Sequence, residues 1–303
     1  MKSLRLDALM PSSLKTSLSL GFFDGVHLGH QKILARTVDD GRRRGTKSAV
    51  FTFRSHPLTV ISPENTPLLL SSFEERQSLM EALGLDYFIW TDFDAAFGSI
   101  AHEVFVTEIL VGKLGAKAIF IGPNYRFGRA KGGDGESLSL MGRSLGFEVH
   151  TVSPVSLAAD MISSTLVRNT LLAGQMGKVQ EMLGRFYSLQ IKGEHFESLP
   201  GGTLVKCTLP KERAAPRKGI YAGTVFDGTR EVPAAIMVHS PPALGEQTLS
   251  LVPLSALSAG AAPLRTTFLE YMRMGEGEKN ESLRENDIKT AADIVRGFKQ
   301  LQA

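Results

Sequence analysis

Residues 21–30 read Gly-Phe-Phe-Asp-Gly-Val-His-Leu-Gly-His and join two segments of different periodicity. Upstream, residues 14–20 alternate leucine with serine near their end, which is typical of a strand. Downstream, residues 30–44 place isoleucine, leucine and valine at helical spacing. The ten residues therefore predict a strand-to-helix turn.

Glycine and histidine give this turn its chemistry. Gly21, Gly25 and Gly29 allow a tight turn and a close approach to a ligand, and the start of a helix offers unpaired N–H groups to an anion. His27 and His30 lie three residues apart, on one helix face, where imidazoles can donate hydrogen bonds to phosphate oxygens that gain charge in a transition state. The alternatives are a chance arrangement or a metal-binding pair.

Composition indicates a globular chain with room for two domains. Of its 303 residues, 43% are hydrophobic and 21% are charged. The formal charge of +3 does not argue for a nucleic-acid partner. The densest basic run, Arg42–Arg44, is interpreted as a solvated helix end in preference to a phosphate site.

Cysteine content and hydropathy bear on the compartment. Cys207 is the one cysteine, which excludes an internal disulfide and fits a reducing environment. No stretch approaches the roughly 18 uninterrupted apolar residues of a membrane span. We therefore expect a soluble cytoplasmic protein without a membrane partner.

Strands alternate with helices over the first 150 or so residues. This order predicts a doubly wound, mostly parallel α/β sheet. Helices are expected to start at the Ser71–Glu75 capping sequence and to span residues 100–114. The remaining strands are predicted at residues 48–53, 86–90, 117–121 and 147–152.

The carboxyl edge of such a sheet is where ligands bind. Gly21, His56, Asp92 and Gly122 should share that edge. His56 precedes a proline, so its position alone also fits a loop histidine fixed by that proline.

A loop rich in glycine, aromatic and cationic residues runs from Gly122 to Asp134. It suits a flat ring that stacks on Tyr125 or Phe127 while Asn124 hydrogen-bonds the ring edge. The alternative is a merely mobile loop.

Hydroxyl side chains open a later helix. Ser163, Ser164 and Thr165 stand at its predicted N-terminus with Arg168 one turn in, which indicates a second phosphate cradle. An ordinary helix cap would explain only one of these hydroxyls.

Beyond residue 185, short alternating segments separated by glycine and proline predict a small antiparallel β-barrel with a C-terminal helix near residues 281–301. The expected strands are residues 186–191, 203–209, 219–226, 234–238 and 248–252.

Four motifs together carry a family resemblance: Gly-x-Phe-Asp-Gly-Val-His-x-Gly-His-Gln, Phe-Thr-Phe-x-x-His-Pro, Asn-Tyr-x-Phe-Gly and Ile-Ser-Ser-Thr-x-Val-Arg. In this order they resemble the bacterial FAD synthetases, the bifunctional riboflavin kinase/FMN adenylyltransferase family. The resemblance implies an adenylyltransferase domain at residues 1–185 and a riboflavin-kinase-like barrel at residues 186–303.

The resemblance also implies site residues. Catalytic roles fall to His27, His30, Ser164 and Arg168. ATP-binding roles fall to Gly21, Phe22, Phe23, Asp24, Gly29, Ser163 and Thr165. FMN-binding roles fall to His56, Asp92, Asn124, Tyr125 and Phe127. The implied cofactor is Mg²⁺, with Asp24 as a weaker candidate for a metal-binding or turn-organising role.

The barrel departs from the family pattern. Lys218–Ala222 matches, but the Pro-Thr-Ala-Asn segment expected after residue 186 is absent, and residues 252–257 contain no carboxylate. Glu231 or Glu246 could serve as a substitute base. We therefore expect FAD synthesis from FMN and ATP with the kinase activity lost.

Three alternatives stay open at this level. The chain could be a bifunctional enzyme that retains kinase activity. It could be another His-x-Gly-His transferase, acting on nicotinamide mononucleotide, phosphopantetheine or cytidine nucleotides. It could also be a non-catalytic flavin- or nucleotide-binding regulator.

Overall fold

The computed structural model describes residues 1–10, 14–199, 202–239, 248–257, 264–274 and 285–301. The chain divides into two compact units. The first comprises Met1–Pro67 and Ser71–Ser163, and the second comprises Leu68–Leu70 and Ser164–Ala303. In the described part of the chain, no helix is both long and apolar enough to cross a bilayer.

The first unit is built on a six-stranded sheet in which every strand pair is parallel. In chain order its strands are β1 (Lys2–Arg5), β2 (Thr16–Leu20), β3 (Lys47–Phe53), β4 (Tyr87–Thr91), β5 (Ala116–Ile121) and β8 (Glu148–Thr151). The spatial order is β1-β4-β3-β2-β5-β8. Two short strand pairs lie outside it, β6 (Arg126–Phe127) with β7 (Gly133–Asp134), and β9 (Ser156–Leu157) with β10 (Asp160–Met161). The predicted parallel α/β sheet is confirmed.

Helices connect these strands. They are α1 (Leu28–Arg44), α2 (Leu58–Ile61), α3 (Phe73–Ala82), α4 (Ala95–Gly98), α5 (His102–Val104) and α6 (Gly135–Leu145). Successive residues of a strand point to opposite faces, and Val50 and Phe51 accordingly belong to two different apolar clusters. Leu34 of α1 packs in the cluster of Val50, whereas Phe105 and Leu110 pack in that of Phe51. The sheet is therefore covered on both faces.

One predicted helix has a different form. The sequence suggests a continuous α-helix over residues 100–114, whereas the structure has only the short α5 followed by a π-helix at Phe105–Lys113. Ala101 is extended and ends the preceding turn. Helical periodicity in the sequence cannot distinguish i→i+5 from i→i+4 hydrogen bonding, because both bury apolar residues on one face.

The second unit contains α7 (Ser164–Leu172), α8 (Met176–Leu183) and a closed antiparallel barrel. The barrel strands are β11 (Tyr187–Leu199), β12 (Gly202–Thr208), β13 (Gly219–Phe226), β14 (Glu231–Val238), β15 (Thr248–Pro253) and β16 (Leu264–Arg273). The C-terminal helix α9 (Glu285–Leu301) packs Ala291 against Ala222 and Ala235. The predicted barrel and its helix are confirmed, with β16 as a further strand; residues 281–284 of the predicted helix lie outside the described residues.

The compact units do not divide at residue 185. Helix α7 packs on α8, and α8 packs on β11 and β16, so both helices belong with the barrel and the division falls after Ser163. The boundary at 185/186 follows the sequence motifs and remains a prediction about functional modules.

Candidate active site

The turn between β2 and α1 is strained. Phe23 has a φ of 58° and Val26 a φ of 40°, a left-handed conformation that is rare for bulky and β-branched residues. Gly21 is needed beside them, because a Cβ at residue 21 would lie 3.0 Å from the Phe23 ring. Such strain costs about 1–3 kcal/mol per residue and is concentrated at functional sites. The strain therefore marks this turn as a candidate functional site.

Hydrogen bonds hold the turn in place. The Asp24 carboxylate, which is almost completely buried, accepts from the Ser71 amide at 3.1 Å and from the Ser71 hydroxyl at 3.2 Å. The Gly25 amide donates to the Ser71 hydroxyl oxygen at 2.8 Å. These contacts correspond to the turn-organising role considered for Asp24.

His27 caps the N-terminus of α1. Its Nδ1 accepts a hydrogen bond from the backbone N–H of His30 at 3.3 Å. A ring nitrogen that accepts carries no proton, so a neutral His27 ring carries its proton on Nε2, the nitrogen that can donate a hydrogen bond. A Cβ at Gly29 would lie 3.1 Å from this ring, so a glycine at that position leaves room for it.

His30 stacks on His27, with ring centroids 3.6 Å apart and planes 20° from parallel. Burial, followed by the proximity of His27, lowers the pKa of His30 well below its usual value. Its Nδ1 is buried and has no hydrogen-bond partner among the described residues. Buried polar atoms are normally paired, so this nitrogen, at the N-terminus of a helix, is a candidate for contact with a ligand.

A cavity of about 750 Å³ lies in the same unit and includes Gly21 and Phe22 of the turn. Its other walls come from aromatic and aliphatic side chains and from the loop after β5. The lining residues that were predicted as site residues are Gly21, Phe22, Asn124, Tyr125 and Phe127. Its size and apolar walls with few polar groups are those of a small-molecule site.

The aromatic rings of the cavity pack on one another. The ring centroid of Phe127 lies 5.7 Å from the centroids of both Tyr125 and Phe105, and the Phe127 ring is nearly parallel to that of Tyr125. Burial raises the pKa of the Tyr125 hydroxyl, which therefore stays protonated at neutral pH. Asn124 is an exposed lining residue of the same loop. The loop thus offers flat apolar faces together with an amide and a phenol.

Two predicted flavin-site residues are placed differently. The His56 ring is not part of the cavity wall but contacts the wall residue Phe22, edge to face, at 4.7 Å between centroids. Asp92 does not line the cavity either and forms an ion pair with Arg5 at 3.1 Å.

The predicted second cradle lies around the start of α7. Ser163 ends the first unit, and Ser164 and Thr165 begin the helix in the second. Arg168 lies one turn further along α7, where its Nε donates to the carbonyl oxygen of Leu68 at 2.6 Å. The N-terminal turn of α7 therefore combines hydroxyl groups with a guanidinium on one helix.

Some residues of the site were missed by the sequence reasoning. Ser71 was considered only as a helix cap, and Arg76 was not considered at all. Five further phenylalanines line the cavity and were not predicted as site residues: Phe51, Phe53, Phe93, Phe97 and Phe105. Their clustering depends on the spatial proximity of segments that are distant in the sequence, so no local pattern indicates it.

The donor set was tested for a metal. Among the described residues, no group of three or more His, Cys, Asp or Glu side chains is positioned to hold a metal ion. Mg²⁺ prefers oxygen ligands and usually reaches such sites bound to substrate phosphates. The protein residues present therefore do not fit a resident Mg²⁺, and the Asp24 carboxylate is already hydrogen-bonded to Ser71.

Known proteins were then compared with the chain. Bifunctional riboflavin kinase/FMN adenylyltransferases are similar to it: that of Escherichia coli K12 is 28% identical over 74% of this chain and 73% of its own. That of Pseudomonas fluorescens is 29% identical over 96% and 94%, and that of Listeria monocytogenes is 30% identical over 68% and 66%.

The fold has a solved counterpart. The crystal structure of a macrolide-efflux protein from Streptococcus pneumoniae matches with a TM-score of 0.78 over 99% of this chain and 98% of that chain, at 21% identity. At that identity the likeness shows the fold alone. The model of the FAD synthetase family matches residues 10–166, which include the strained turn, both histidines, the aromatic loop and Ser163 to Thr165. The chain therefore belongs to the FAD synthetase family.

Proposed function

We propose that this protein transfers AMP from ATP to FMN, giving FAD and pyrophosphate. The observation that carries the proposal is the stacked pair of His27 and His30 at the N-terminus of α1, in the same turn that supplies Phe22 to an aromatic cavity. A phosphate-binding helix start and a flat apolar cavity suit a substrate that is both a ring and a phosphate.

The reaction is a displacement at phosphorus. A phosphate oxygen of FMN attacks the α-phosphorus of ATP, the new oxygen–phosphorus bond forms the pyrophosphate linkage of FAD, and the bond from the α-phosphorus to the bridging oxygen breaks. Pyrophosphate leaves with the electron pair of that bond. No covalent enzyme intermediate is needed, so the residues act by positioning and by charge stabilisation.

The two histidines stabilise charge on the phosphates. His27 donates from Nε2, because its Nδ1 is occupied by the His30 amide. His30 is neutral when the site is free of anions, since burial keeps its pKa low, and a bound polyphosphate stabilises its protonated form. Donors that are fixed before the reaction stabilise the charge that develops in the transition state.

The start of α7 is the second phosphate-binding motif of the proposal. We assign Ser163, Ser164, Thr165 and Arg168 to the nucleotide phosphates, on the grounds of their hydroxyls, the helix N-terminus and the guanidinium. Gly21, Phe23, Gly29 and Asp24 shape the turn. Magnesium enters as part of the MgATP substrate and neutralises phosphate charge there.

The flavin ring occupies the aromatic cavity in this proposal. The faces of Tyr125 and Phe127 stack on the ring system, and Asn124 hydrogen-bonds its polar edge. His56 acts on the cavity indirectly, through its contact with Phe22. Asp92 forms an ion pair with Arg5, and the proposal assigns it no direct contact with FMN.

Loss of riboflavin kinase activity is the second part of the proposal. Residues 252–257 carry no carboxylate, and no Pro-Thr-Ala-Asn segment follows residue 186. Glu231, a conceivable substitute base, accepts a hydrogen bond from the Thr224 hydroxyl at 2.6 Å, which occupies one of its oxygens. Glu246 lies outside the described residues. Phosphoryl transfer without ligands for the metal and without a base loses most of its catalysis.

The same reasoning extends to organisation and location. We propose that residues 1–185 form the adenylyltransferase module and residues 186–303 a barrel without kinase activity. A cytoplasmic location is proposed because Cys207 is the one cysteine of the sequence, so the chain forms no internal disulfide and fits a reducing compartment.

The test is incubation with MgATP and either FMN or riboflavin, followed by chromatographic separation of the flavins. FMN should yield FAD, and riboflavin should yield neither FMN nor FAD. Conversion of riboflavin to FMN at a rate comparable with FAD formation would show a bifunctional enzyme. Tight flavin binding without any FAD would instead show a non-catalytic binding protein and overturn the proposal.

A further inference from the structure

Arg76 is the largest fully buried charged side chain in the described residues, with none of its surface exposed. It lies in the first turns of α3, inside the first unit. Burial lowers its pKa to about 10, so it remains a cation at neutral pH. Burying a cation is costly, and an apolar side chain of similar volume is often at least as stabilising. Its presence therefore calls for a reason other than stability.

The guanidinium joins the ends of two neighbouring strands. Nη1 donates to the carbonyl oxygen of Phe22 at 2.9 Å and to the hydroxyl of Thr52 at 3.1 Å. Nη2 donates to the carbonyl oxygens of Phe53 at 3.0 Å and Arg54 at 2.9 Å. Phe22 follows β2, whereas the other acceptors end β3 or follow it. One side chain thus fixes the spacing of both strand ends at the carboxyl edge of the sheet.

The same group also fixes a wall of the cavity. Its central carbon lies 4.1 Å from the centroid of the Phe22 ring, a close cation–π contact. Phe22 lines the cavity, and its ring also contacts His56 at 4.7 Å. The carbonyl and the ring of Phe22 are therefore both held by Arg76, immediately before the strained Phe23 and the turn that leads to His27.

We propose that Arg76 is a positioning residue of the adenylyl transfer reaction, which sets the place of Phe22 in the flavin cavity and of the turn that carries His27. This inference rests on the proposed function. A lysine cannot replace it, because an ammonium is a point charge that cannot bridge several carbonyl oxygens and lie flat on a ring at once.

The test compares Arg76→Lys with wild type and with Arg143→Lys, an exposed arginine of α6 in the same unit. Arg76→Lys should raise KM for FMN about ten-fold and lower kcat on the order of 100-fold, as expected for a misplacement of about 1 Å. Arg143→Lys should match wild type. Folding is checked by circular dichroism and thermal unfolding.

A merely structural arginine gives a different result. In that case Arg76→Lys would lower kcat only in proportion to the folded fraction and would leave KM for FMN unchanged, which would overturn the proposal. Thr52→Val is a second variant, which keeps the buried charge and the side-chain volume while removing one acceptor of Arg76. It should raise KM for FMN several-fold, and a wild-type KM there would also contradict the proposal.

Failure of the proposed function is recognisable separately. If wild type forms no FAD, the adenylyltransferase assignment fails whatever the variants do. Direct titration with FMN, followed by flavin fluorescence, still measures the effect of Arg76→Lys on the cavity wall, and equal affinities for the two proteins would then refute the positioning role.

Discussion

At the scale of single residues, the site depends on how two histidines share one helix turn. His27 uses Nδ1 to cap α1 and so keeps its proton on Nε2, while His30 stacks on it with an unpaired, buried Nδ1. In His27, the helix cap occupies Nδ1. In His30, Nδ1 has no hydrogen-bond partner among the described residues. This arrangement gives the two histidines different roles in the proposed reaction.

Removing either ring tests that role. His27→Ala and His30→Ala should each lower kcat for FAD formation by at least ~100-fold, because losing one fixed donor to a developing anion costs about 10²–10³ in rate. His150→Ala, on β8, is the matched control and should retain wild-type turnover, since its ring stacks on Phe120 and is not part of the stacked pair of His27 and His30. A correctly folded His30→Ala with turnover within a few-fold of wild type would refute the assignment.

The protonation of His30 gives a second check. Burial and His27 lower its pKa in the folded protein, whereas the unfolded chain should titrate at about 6.5. Between these two values the unfolded state binds more protons, so this group's contribution to stability is complete above pH 6.5 and is lost as the pH falls through the folded pKa. An NMR titration of the ring protons, assigned with His30→Gln, should give a pKa below 6.5; a value at or above 6.5 would contradict the buried, neutral state.

At the scale of elements, the cavity is assembled from the ends of strands and from the loop after β5. Phe127 in that loop packs on Phe105, the first residue of the π-helix. Gly128 fits closely against this region, because a Cβ there would lie 2.6 Å from His102, and its φ of 72° is left-handed. The loop is therefore seated on the π-helix segment in a defined position.

Because the loop has a defined position in the cavity wall, we predict that it affects binding of FMN more than binding of ATP. Asn124→Ala and Phe127→Ala should each weaken FMN binding on the order of ten-fold, since a lost hydrogen bond costs about 0.5–1.5 kcal/mol and a lost aromatic stacking contact costs about as much. ATP binding should change much less. Separate calorimetric titrations of the two ligands decide the matter, with Leu140→Ala on the exposed face of α6 as a control. Equal weakening of both ligands would mean that the loop does not discriminate.

Strands with an apolar run or a regular alternation were predictable from the sequence, whereas mostly polar or charged strands were not. β3, β4 and β5 are apolar enough to be recognised and β2 alternates leucine with serine, but β1 is a four-residue edge strand reading Lys-Ser-Leu-Arg. β16 carries charged residues among its buried ones, which interrupts the strand signal.

Arg76 shows the same limit within the site. An arginine in a helical pattern predicts exposure to solvent, because charged side chains are seldom fully buried. Its burial arises from carbonyl groups at two strand ends that only the folded sheet brings together. The histidine turn and the aromatic loop were predictable, since each is a contiguous motif, but the contacts that position them were not.

At the scale of the whole molecule, the proposed adenylyl transfer belongs to the α/β unit, and the barrel unit has no assigned reaction. The α/β unit contains the histidine turn and the aromatic cavity. The barrel has six closed strands and a packed helix, and we propose that it has no kinase activity because its sequence departs from the pattern that the family resemblance predicts. A closed barrel can persist without that chemistry because its strands leave no free sheet edges and its interior is packed with apolar residues.

The central claim is that the bond broken in ATP lies between the α- and β-phosphates. Incubating the protein with FMN and ATP labelled at either the α- or the γ-phosphorus measures this directly, with the flavins separated from pyrophosphate and counted. The account predicts that label from the α position appears in FAD and label from the γ position appears only in pyrophosphate. Label from the γ position in a flavin product, or FMN left unchanged while ATP is consumed, would contradict it.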